Sequence, residues 1–153
     1  MTEKRKRIID PRYAKSEEYS QVLRDIVKDG KCPFCFENFA EFSRSKHTPM
    51  KETAGWYLVR NSWPYPNTEH HLLIIPKRHC EELSDLTSSD MVQILELAEY
   101  ARNYFSIKGG AMTVRFGDSL YTGATVVHLH FHLIVPEIDG EAGKAKTVQF
   151  PIG

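Results

Sequence analysis

Three histidines occupy alternate positions of an otherwise apolar segment, TVVHLHFHLIVP, at residues 125–136. They are His128, His130 and His132. Side chains alternate between the two faces of a strand, so the three imidazoles share one face and the apolar residues between them share the other. A lone histidine here would most simply be a hydrogen-bonded residue at a strand edge, but strict alternation of three argues for more. The segment predicts a strand that packs on the core and turns its histidines towards a cleft.

The three histidines are too widely spaced to bind one metal ion together. The outer two would lie about 13 Å apart along an extended strand, whereas metal–nitrogen bonds are about 2 Å long. Two adjacent histidines remain able to share a metal. A neutral imidazole is a good nucleophile towards phosphorus or carbonyl carbon, and its neighbours can fix its tautomer or bind developing negative charge. The row therefore favours group transfer through a covalent histidine intermediate.

The remaining pattern predicts a mixed α+β domain. A short amphipathic helix follows Ser16 and stops at Gly30, and a longer one follows the capping-box pair Thr87 and Asp90. Strand-like runs are GWYLVRN, HHLLIIPKRH, AMTVRFG and the histidine segment, with AKTVQF as a further candidate. The segment KCPFCFENF is predicted to be a tight turn before a polar loop. Strands and helices do not alternate regularly, which favours an antiparallel sheet of about five strands. The apolar face predicted for the longer helix consists of Met91, Ile94, Leu95, Ala98, Ala101, Tyr104 and Phe105.

Length and composition predict one domain at residues 16–153, behind a flexible polar tail at residues 1–15. The chain has 153 residues, enough for one core of ordinary size. Its formal charge of zero argues against a large nucleic-acid-binding face. No apolar run of about 18 residues occurs, which predicts no membrane span and a cytoplasmic location.

The pair Cys32 and Cys35, in CPFC, has the spacing that lets two thiolates reach one tetrahedral metal ion. A redox pair is the rival interpretation, although no thioredoxin-like βαβ pattern surrounds it. Two ordinary reduced cysteines in a turn are the third. Cys80 is interpreted as a packing residue, and three cysteines in total fit poorly with a disulfide framework.

The motif HLHFHLI resembles the His-x-His-x-His-x-x signature of the histidine triad superfamily of nucleotide hydrolases and transferases. Two further segments resemble the same family: HHLLIIPKRH is similar to its strand before the long helix, and TGATVVHLH to its Gly-Gln-Ser-Val-x-His-x-His approach. The resemblance runs from about residue 32 to residue 136. It implies the family's α+β fold and chemistry at the α-phosphate of a nucleotide.

Carried over by position, the resemblance makes His130 the nucleophile, His128 the residue that orients it through its carbonyl, and His132 a phosphate contact. It also places substrate-binding residues elsewhere in the chain: Asn61 at the ribose, and Gly123, Thr125 and His71 at the phosphates. Two positions depart from the family pattern and concern the leaving group: Ala124 replaces a glutamine, and Arg115 stands where relatives often have an asparagine.

Some members of that family bind a structural zinc ion. By the same resemblance, its ligands here are Cys32, Cys35, His79 and His128. A closed site with four protein ligands cannot activate water, so the implied role is structural. No magnesium ligand cluster is evident in the sequence, although a substrate can bring the ion with it.

The resemblance implies a purine nucleotide as ligand, with dinucleoside polyphosphates as the first substrate class and nucleoside phosphoramidates as the second. A phosphorolytic transferase is third, because His132 is retained where such enzymes often have glutamine. An apolar slot for the base could include Trp56 or Phe36, although core packing is the preferred interpretation of each taken singly. A zinc-stabilised nucleotide-binding module without turnover is the alternative from another class. A homodimer through the long helix, residues 87–105, and an edge strand is expected as well.

Overall fold

The computed structural model of the chain describes residues 8–42 and 48–153. Its α-helices are α1 (Glu17–Asp29), α2 (Phe36–Phe42), α3 (Ser88–Tyr104) and α4 (Ser119–Thr122), and short 3₁₀ helices span Pro11–Tyr13 and Leu83–Asp85. Its strands are β1 (Lys51–Glu52), β2 (Trp56–Arg60), β3 (Thr68–Pro76), β4 (Ala111–Val114), β5 (Phe131–Pro136), β6 (Ile138–Asp139) and β7 (Lys144–Ala145). Within the described residues, five strands form one antiparallel sheet in the order β1-β2-β3-β5-β4. The predicted α+β class with a five-stranded antiparallel sheet is confirmed.

The central strand β3 is buried on both faces, which explains its continuous apolar run LLII. One face of the sheet packs against α3 and contributes Trp56, Leu58, Leu72 and Ile74 to the main core. The opposite face contributes Tyr57, Val59, Leu73 and Ile75, and Phe34, Phe36 and Phe39 cover it. Each fully buried leucine or isoleucine contributes about 1.5–3 kcal/mol. The centre of the sheet is therefore a rigid base for the residues at its edges.

The first residues of α3 form the predicted capping box: Asp90 N donates to Thr87 Oγ1 at 3.2 Å and Thr87 N to Asp90 Oδ2 at 2.8 Å. The carboxylate of Asp90 also accepts from Trp56 Nε1 at 2.7 Å and from Arg78. Arg78 holds the pKa of Asp90 well below its usual range. These bonds hold the first turn of α3 so that the side chain of Asp90 faces the core. The predicted apolar face is therefore partly wrong: Ile94, Leu97 and Ala101 are buried, whereas Met91, Leu95 and Tyr104 are exposed.

Helix α1 begins and ends as predicted. Ser16 Oγ accepts from Tyr19 N at 3.1 Å at the N-terminus, and Gly30 ends the helix in the left-handed conformation at φ +65°. Its buried residues, Leu23 and Ile26, pack against the cysteine pair and Val126. The helix thus lies against the segment that precedes β5.

The flexible tail predicted for residues 1–15 is wrong for residues 8–15, and residues 1–7 lie outside the described residues. Ile9 is 5% exposed and forms a β-bridge with Val126. Asp10 N donates to Thr125 O, and Val127 N donates to Ile8 O, each at 2.8 Å. Backbone pairing and an apolar anchor fix this segment, and neither leaves a periodic signal in so short a stretch.

Two further segments differ from their predictions. The turn and loop expected from residue 31 to about residue 51 contain α2, whose aromatic side chains pack on Tyr57; residues 43–47, including His47, lie outside the described part of the chain. The strand expected at AKTVQF is reduced to β7, which pairs with β6 apart from the main sheet. Among the described residues, no helix is long and apolar enough to cross a bilayer.

Candidate active site and metal-ligand cluster

The histidine segment enters the sheet later than predicted, because β5 begins at Phe131 and contains only His132 of the three histidines. Before the strand, Leu129 N donates to Cys80 O at 2.7 Å and keeps the chain extended. The predicted alternation of faces is nevertheless present. Leu129, Phe131 and Leu133 belong to the core beneath α3, whereas the rings of His128 and His130 lie edge-on to Phe34, on the opposite face.

His128 joins three other side chains in a compact cluster of metal-binding groups. Its Nδ1 lies 3.3 Å from Cys32 Sγ and 3.8 Å from Cys35 Sγ, and His79 Nδ1 lies 3.6 Å from Cys35 Sγ. All four candidate ligand atoms fall within 4.8 Å of one another. The structure thus brings together the predicted set Cys32, Cys35, His79 and His128. Among the described residues this is the one group of three or more such side chains.

The surroundings of the cluster fit a bound metal ion. Each histidine turns Nδ1 inwards and has its Nε2 held by an acceptor: His128 by Pro76 O at 3.0 Å, and His79 by Glu81 Oε1 at 3.0 Å. This fixes the tautomer whose Nδ1 lone pair is available to a cation. Burial raises the pKa of Cys35 to about 12 and also raises that of Cys32. A cation stabilises thiolates and reverses this shift, so the four residues could hold a metal such as zinc.

His130 has the opposite orientation. Its Nδ1 donates to the carbonyl oxygen of His128 at 2.7 Å, which places the proton on Nδ1 and leaves the lone pair on Nε2. The side chain is 9% exposed, and burial lowers the pKa of His130 to about 4. At neutral pH it is therefore an uncharged imidazole with a fixed tautomer, as a nucleophile requires.

The second histidine pair forms a directed chain of hydrogen bonds. Tyr65 N donates to His71 Nδ1 at 3.0 Å, so the proton of His71 lies on Nε2 and is donated to His132 Nδ1 at 2.8 Å. His132 must then carry its own proton on Nε2, which lies 3.3 Å from Arg115 Nη1. Burial lowers the pKa of His71 to about 4 and also lowers that of His132, so both rings are neutral. Two N–H donors thus converge beside His130, an arrangement that suits an anion.

His130, His132, Tyr65 and Arg115 line one cavity of about 440 Å³. Its apolar wall contains aromatic side chains from three segments, and the rings of Tyr19 and Trp63 lie 4.9 Å apart. Further residues of that wall are Phe34, Leu73 and Val126. The cavity is large enough for a nucleotide and offers flat apolar surfaces beside polar donors.

The structure brings most of the predicted substrate-binding residues to this cavity. Asn61, Gly123 and Thr125 line it together with His130 and His132, whereas His71 stands behind His132. Asn61 Oδ1 accepts from Trp63 N at 2.9 Å, and its amide nitrogen lies 3.2 Å from His71 Nε2. Gly123 adopts φ +65°, a conformation that favours glycine.

Core packing, the preferred interpretation of Trp56 and Phe36, is confirmed: Trp56 is fully buried beneath α3 and Phe36 packs on Tyr57, so neither lines the cavity. Cys80 belongs to the main core, as predicted. Sequence reasoning missed Lys15 and Tyr19, which come from the N-terminal segment and α1, and Tyr65 from the loop after β2. Tyr19 OH lies 2.8 Å from Thr125 Oγ1. Position 19 carries the helical signal of α1, but nothing in that pattern indicates which partner its hydroxyl meets.

A family model described as the HIT domain matches residues 53–138, more than half of the chain. An uncharacterized HIT-like protein of Chlamydia trachomatis is 39% identical over 74 residues, which cover 46% of this chain and 65% of that protein. Adenosine 5'-monophosphoramidase HINT3 of Danio rerio is 32% identical over 75 residues, 46% of each chain. The AP-4-A phosphorylase of Mycobacterium tuberculosis is 31% identical over 90 residues, 56% of this chain and 44% of that protein.

The matches therefore span between about half and two thirds of these curated relatives. Among solved structures, a histidine triad nucleotide-binding protein from Candida albicans has a TM-score of 0.56 at 22% identity, over 80% of this chain and 85% of that one. A HIT family hydrolase from Legionella pneumophila has a TM-score of 0.54 at 25% identity, over 71% of this chain and 95% of that one. These structures share the fold described above.

Proposed function

The chain belongs to the HIT domain family, and from this premise we propose that it is a nucleotide hydrolase or nucleotidyl transferase acting through a nucleotidyl-histidine intermediate. One observation carries the proposal: the hydrogen bond of 2.7 Å from His130 Nδ1 to the carbonyl of His128 leaves the Nε2 lone pair in the cavity, with the ring of His132 4.8 Å from that of His130. A nucleophile and an anion site are thus adjacent in one cavity.

The first step forms a bond between His130 Nε2 and the α-phosphorus as the bond from phosphorus to the leaving group breaks. The leaving group departs with the electron pair of that bond: a polyphosphate leaves as an anion, whereas the nitrogen of a phosphoramidate takes up a proton from the solvent and leaves as ammonia. His130 then carries a positive charge, and the carbonyl of His128 stabilises it by accepting the Nδ1 proton in a stronger hydrogen bond. His132 Nε2 and Thr125 donate to the phosphoryl oxygens, where negative charge develops in the transition state.

The second step releases the nucleotide. The oxygen of water, or of another acceptor, attacks phosphorus from the side of the departed group, and the phosphorus–nitrogen bond breaks. The acceptor loses a proton to the solvent, and His130 returns to its neutral form. The two displacements occur at one position, so the same groups serve both steps.

Dinucleoside polyphosphates are the preferred substrate class in this proposal, with the base against Tyr19, Phe34 and Trp63 and the ribose near Asn61. Nucleoside phosphoramidates are the second candidate, supported by the similarity to the phosphoramidase of Danio rerio. Gly123 and His71 would support the phosphates, the first through its backbone and the second through His132. The cytoplasmic location and the single domain remain predictions from the sequence.

We further propose that Cys32, Cys35, His79 and His128 hold a structural zinc ion. Two thiolates and two imidazoles are the donor set that zinc favours in closed tetrahedral sites. Bound there, the ion would tie the turn before α2 to the segment that carries His130. Its chemistry is that of a cross-link, because four protein ligands leave no open position for substrate.

A homodimer through α3 and the edge strand β4 is also proposed. The exposed apolar residues of that region support it: Met91, Val92, Leu95, Tyr104 and Met112. Light scattering of the purified protein tests this, and a monomeric mass would contradict it.

The decisive experiment captures the intermediate. Wild-type protein and His130→Ala are mixed with ATP and diadenosine tetraphosphate, each labelled at the α-phosphate, and with adenosine phosphoramidate. Denaturation in alkali preserves phosphorus–nitrogen bonds. Label on wild-type protein alone, together with AMP release, is the expected result. AMP release that survives in His130→Ala would contradict the mechanism, and nucleotide binding without release would favour the non-catalytic module.

A further inference from the structure

Two cationic side chains that are far apart in the sequence, Lys15 and Arg115, both contact Tyr65 in the cavity. Lys15, just before α1, places Nζ 4.1 Å from the centre of the Tyr65 ring. Arg115, after β4, donates from Nη2 to Tyr65 OH at 2.9 Å. Both residues line the cavity, and Arg115 also lies beside His132.

Within the described part of the chain, no aspartate or glutamate side chain neutralises Lys15 and Arg115. Arg115 also donates to the carbonyl oxygen of Pro151, from Nε at 3.1 Å and from Nη2 at 2.6 Å. Its guanidinium stacks over the ring of Phe150. Among the described residues neither cation forms an ion pair, and the lining of the cavity includes no aspartate or glutamate. Burial and the charge of Arg115 lower the pKa of Lys15. Two like charges in a shared cavity repel each other, and a bound anion relieves that repulsion.

The position of Arg115 relative to His130 decides which part of a substrate it meets. The ring centroids of His130 and His132 are 4.8 Å apart. Arg115 Nη1 lies 3.3 Å from His132 Nε2. His132 therefore lies next to both the ring of His130 and the guanidinium of Arg115. A phosphorus atom attacked by His130 lies nearest to His132, and the next phosphate along the chain reaches the guanidinium. Tyr65 holds the second cation beside the first.

We infer that Lys15 and Arg115 bind the phosphates beyond the one that His130 attacks, and that they thereby favour substrates with a charged leaving group. The inference rests on the proposed function and sharpens it. Leaving groups that carry phosphates gain ionic contacts with both side chains, whereas the ammonia released from a phosphoramidate gains none. Arg115 and Lys15 are thus specificity-determining residues.

Steady-state kinetics on two substrates with the same adenylyl group test the inference. Arg115→Ala is expected to lower kcat/KM on diadenosine tetraphosphate by about 10-fold to 100-fold, the size of a lost charge-assisted hydrogen bond. Its effect on adenosine phosphoramidate should stay below about 3-fold. Lys15→Ala should show the same selectivity with a smaller loss. Lys28→Ala, an exposed cation on α1 paired with Asp25, is the matched control and should change neither rate.

Equal losses on both substrates would overturn the inference, because Arg115 would then act on the adenylyl phosphate or merely position His132. Arg115→Lys separates these roles further. A retained charge should preserve most of the selectivity between the two substrates, whereas a positioning role requires the guanidinium.

An affinity series separates failure of this inference from failure of the proposed function. AMP, ADP and ATP are titrated into His130→Ala by calorimetry, and again into His130→Ala carrying Lys15→Ala and Arg115→Ala. The dissociation constant is expected to fall about 10-fold with each added phosphate in the first protein and to vary little in the second. If the wild-type protein turns over no substrate while affinity still rises with each added phosphate in His130→Ala, the proposed function fails. The inference that Lys15 and Arg115 bind phosphates then stands. A flat series in the first protein overturns this inference whatever the turnover.

Discussion

The metal-ligand cluster and the cavity use the same residue type in opposite orientations. In the cluster, His79 and His128 are anchored at Nε2 and present Nδ1 to the cysteines. In the cavity, His130 is anchored at Nδ1 and presents Nε2, and His132 follows the same rule through His71. The comparison teaches that the role of a buried histidine is set by which nitrogen its neighbours occupy, because that choice decides where the lone pair or proton points.

The largest expected effect comes from removing the nucleophile alone. His130→Ala should lower kcat on any accepted substrate by at least about 1000-fold, because the lone pair on His130 Nε2 forms the proposed covalent intermediate. Metal content and the urea midpoint should stay near those of the wild type, since His130 contacts the cluster only through a backbone carbonyl. Plasma emission spectrometry and chemical denaturation check both. Loss of metal together with activity would break the proposed separation of the two regions.

Removing one cluster ligand should produce the reverse pattern. Cys35→Ser is expected to lose the bound metal and at least about 2 kcal/mol of the free energy of unfolding, since binding free energy in such a site is folding free energy. Turnover should fall less, by about 10-fold, as the support of His128 loosens. Cys80→Ser is the matched control, because Cys80 is equally buried but lies in the main core. It should retain one metal ion per chain, and a stoichiometric metal in Cys35→Ser would exclude the proposed site.

The most gradual expected effect is the pH dependence of stability that His71 and His132 create, because it is spread over more than two pH units. The pKa of His71 is about 4 in the folded protein and 6.5 in a model compound. The unfolded chain therefore binds protons first as pH falls. The contribution to stability is complete above pH 6.5 and is lost progressively towards pH 4, by about 3 kcal/mol for this group alone. His130, Arg115 and Lys15 face the pair and oppose its protonation.

Urea unfolding at several values between pH 7.5 and pH 5 measures this slope. His71→Asn should show a shallower slope than the wild type. Both proteins keep the cluster intact, so proton uptake by its ligands cancels in the difference. Identical slopes would mean that His71 is not the group that resists protonation.

The fold and the positions of the main site residues were predictable because their signals are local or periodic. Alternation places Leu129 and Phe131 on one face and the histidines on the other, and the capping box marks the start of α3. The burial of Met91 was predicted wrongly because the bond from Trp56 to Asp90, across the core, sets the rotation of α3. A sequence pattern does not contain that contact.

The missed residues of the cavity share a physical cause. Lys15, Tyr19 and Tyr65 reach the site through tertiary packing of segments with no motif of their own. Ile9 likewise fixes the first described residues by pairing with Val126 rather than by any repeat in the sequence. Such long-range pairings determine which side chains complete a site whose centre is marked by a motif.

Residue 128 contributes to the two regions through different parts of itself. Its ring belongs to the cysteine cluster, and its carbonyl oxygen fixes the proton of His130. Every amino acid supplies a carbonyl, whereas only a metal-binding side chain can complete the cluster. Evolution can therefore exchange the side chain at this position and abandon the metal without removing the acceptor that orients the nucleophile, provided that the backbone keeps its path. The proposed metal site and the orientation of His130 can therefore evolve independently at residue 128.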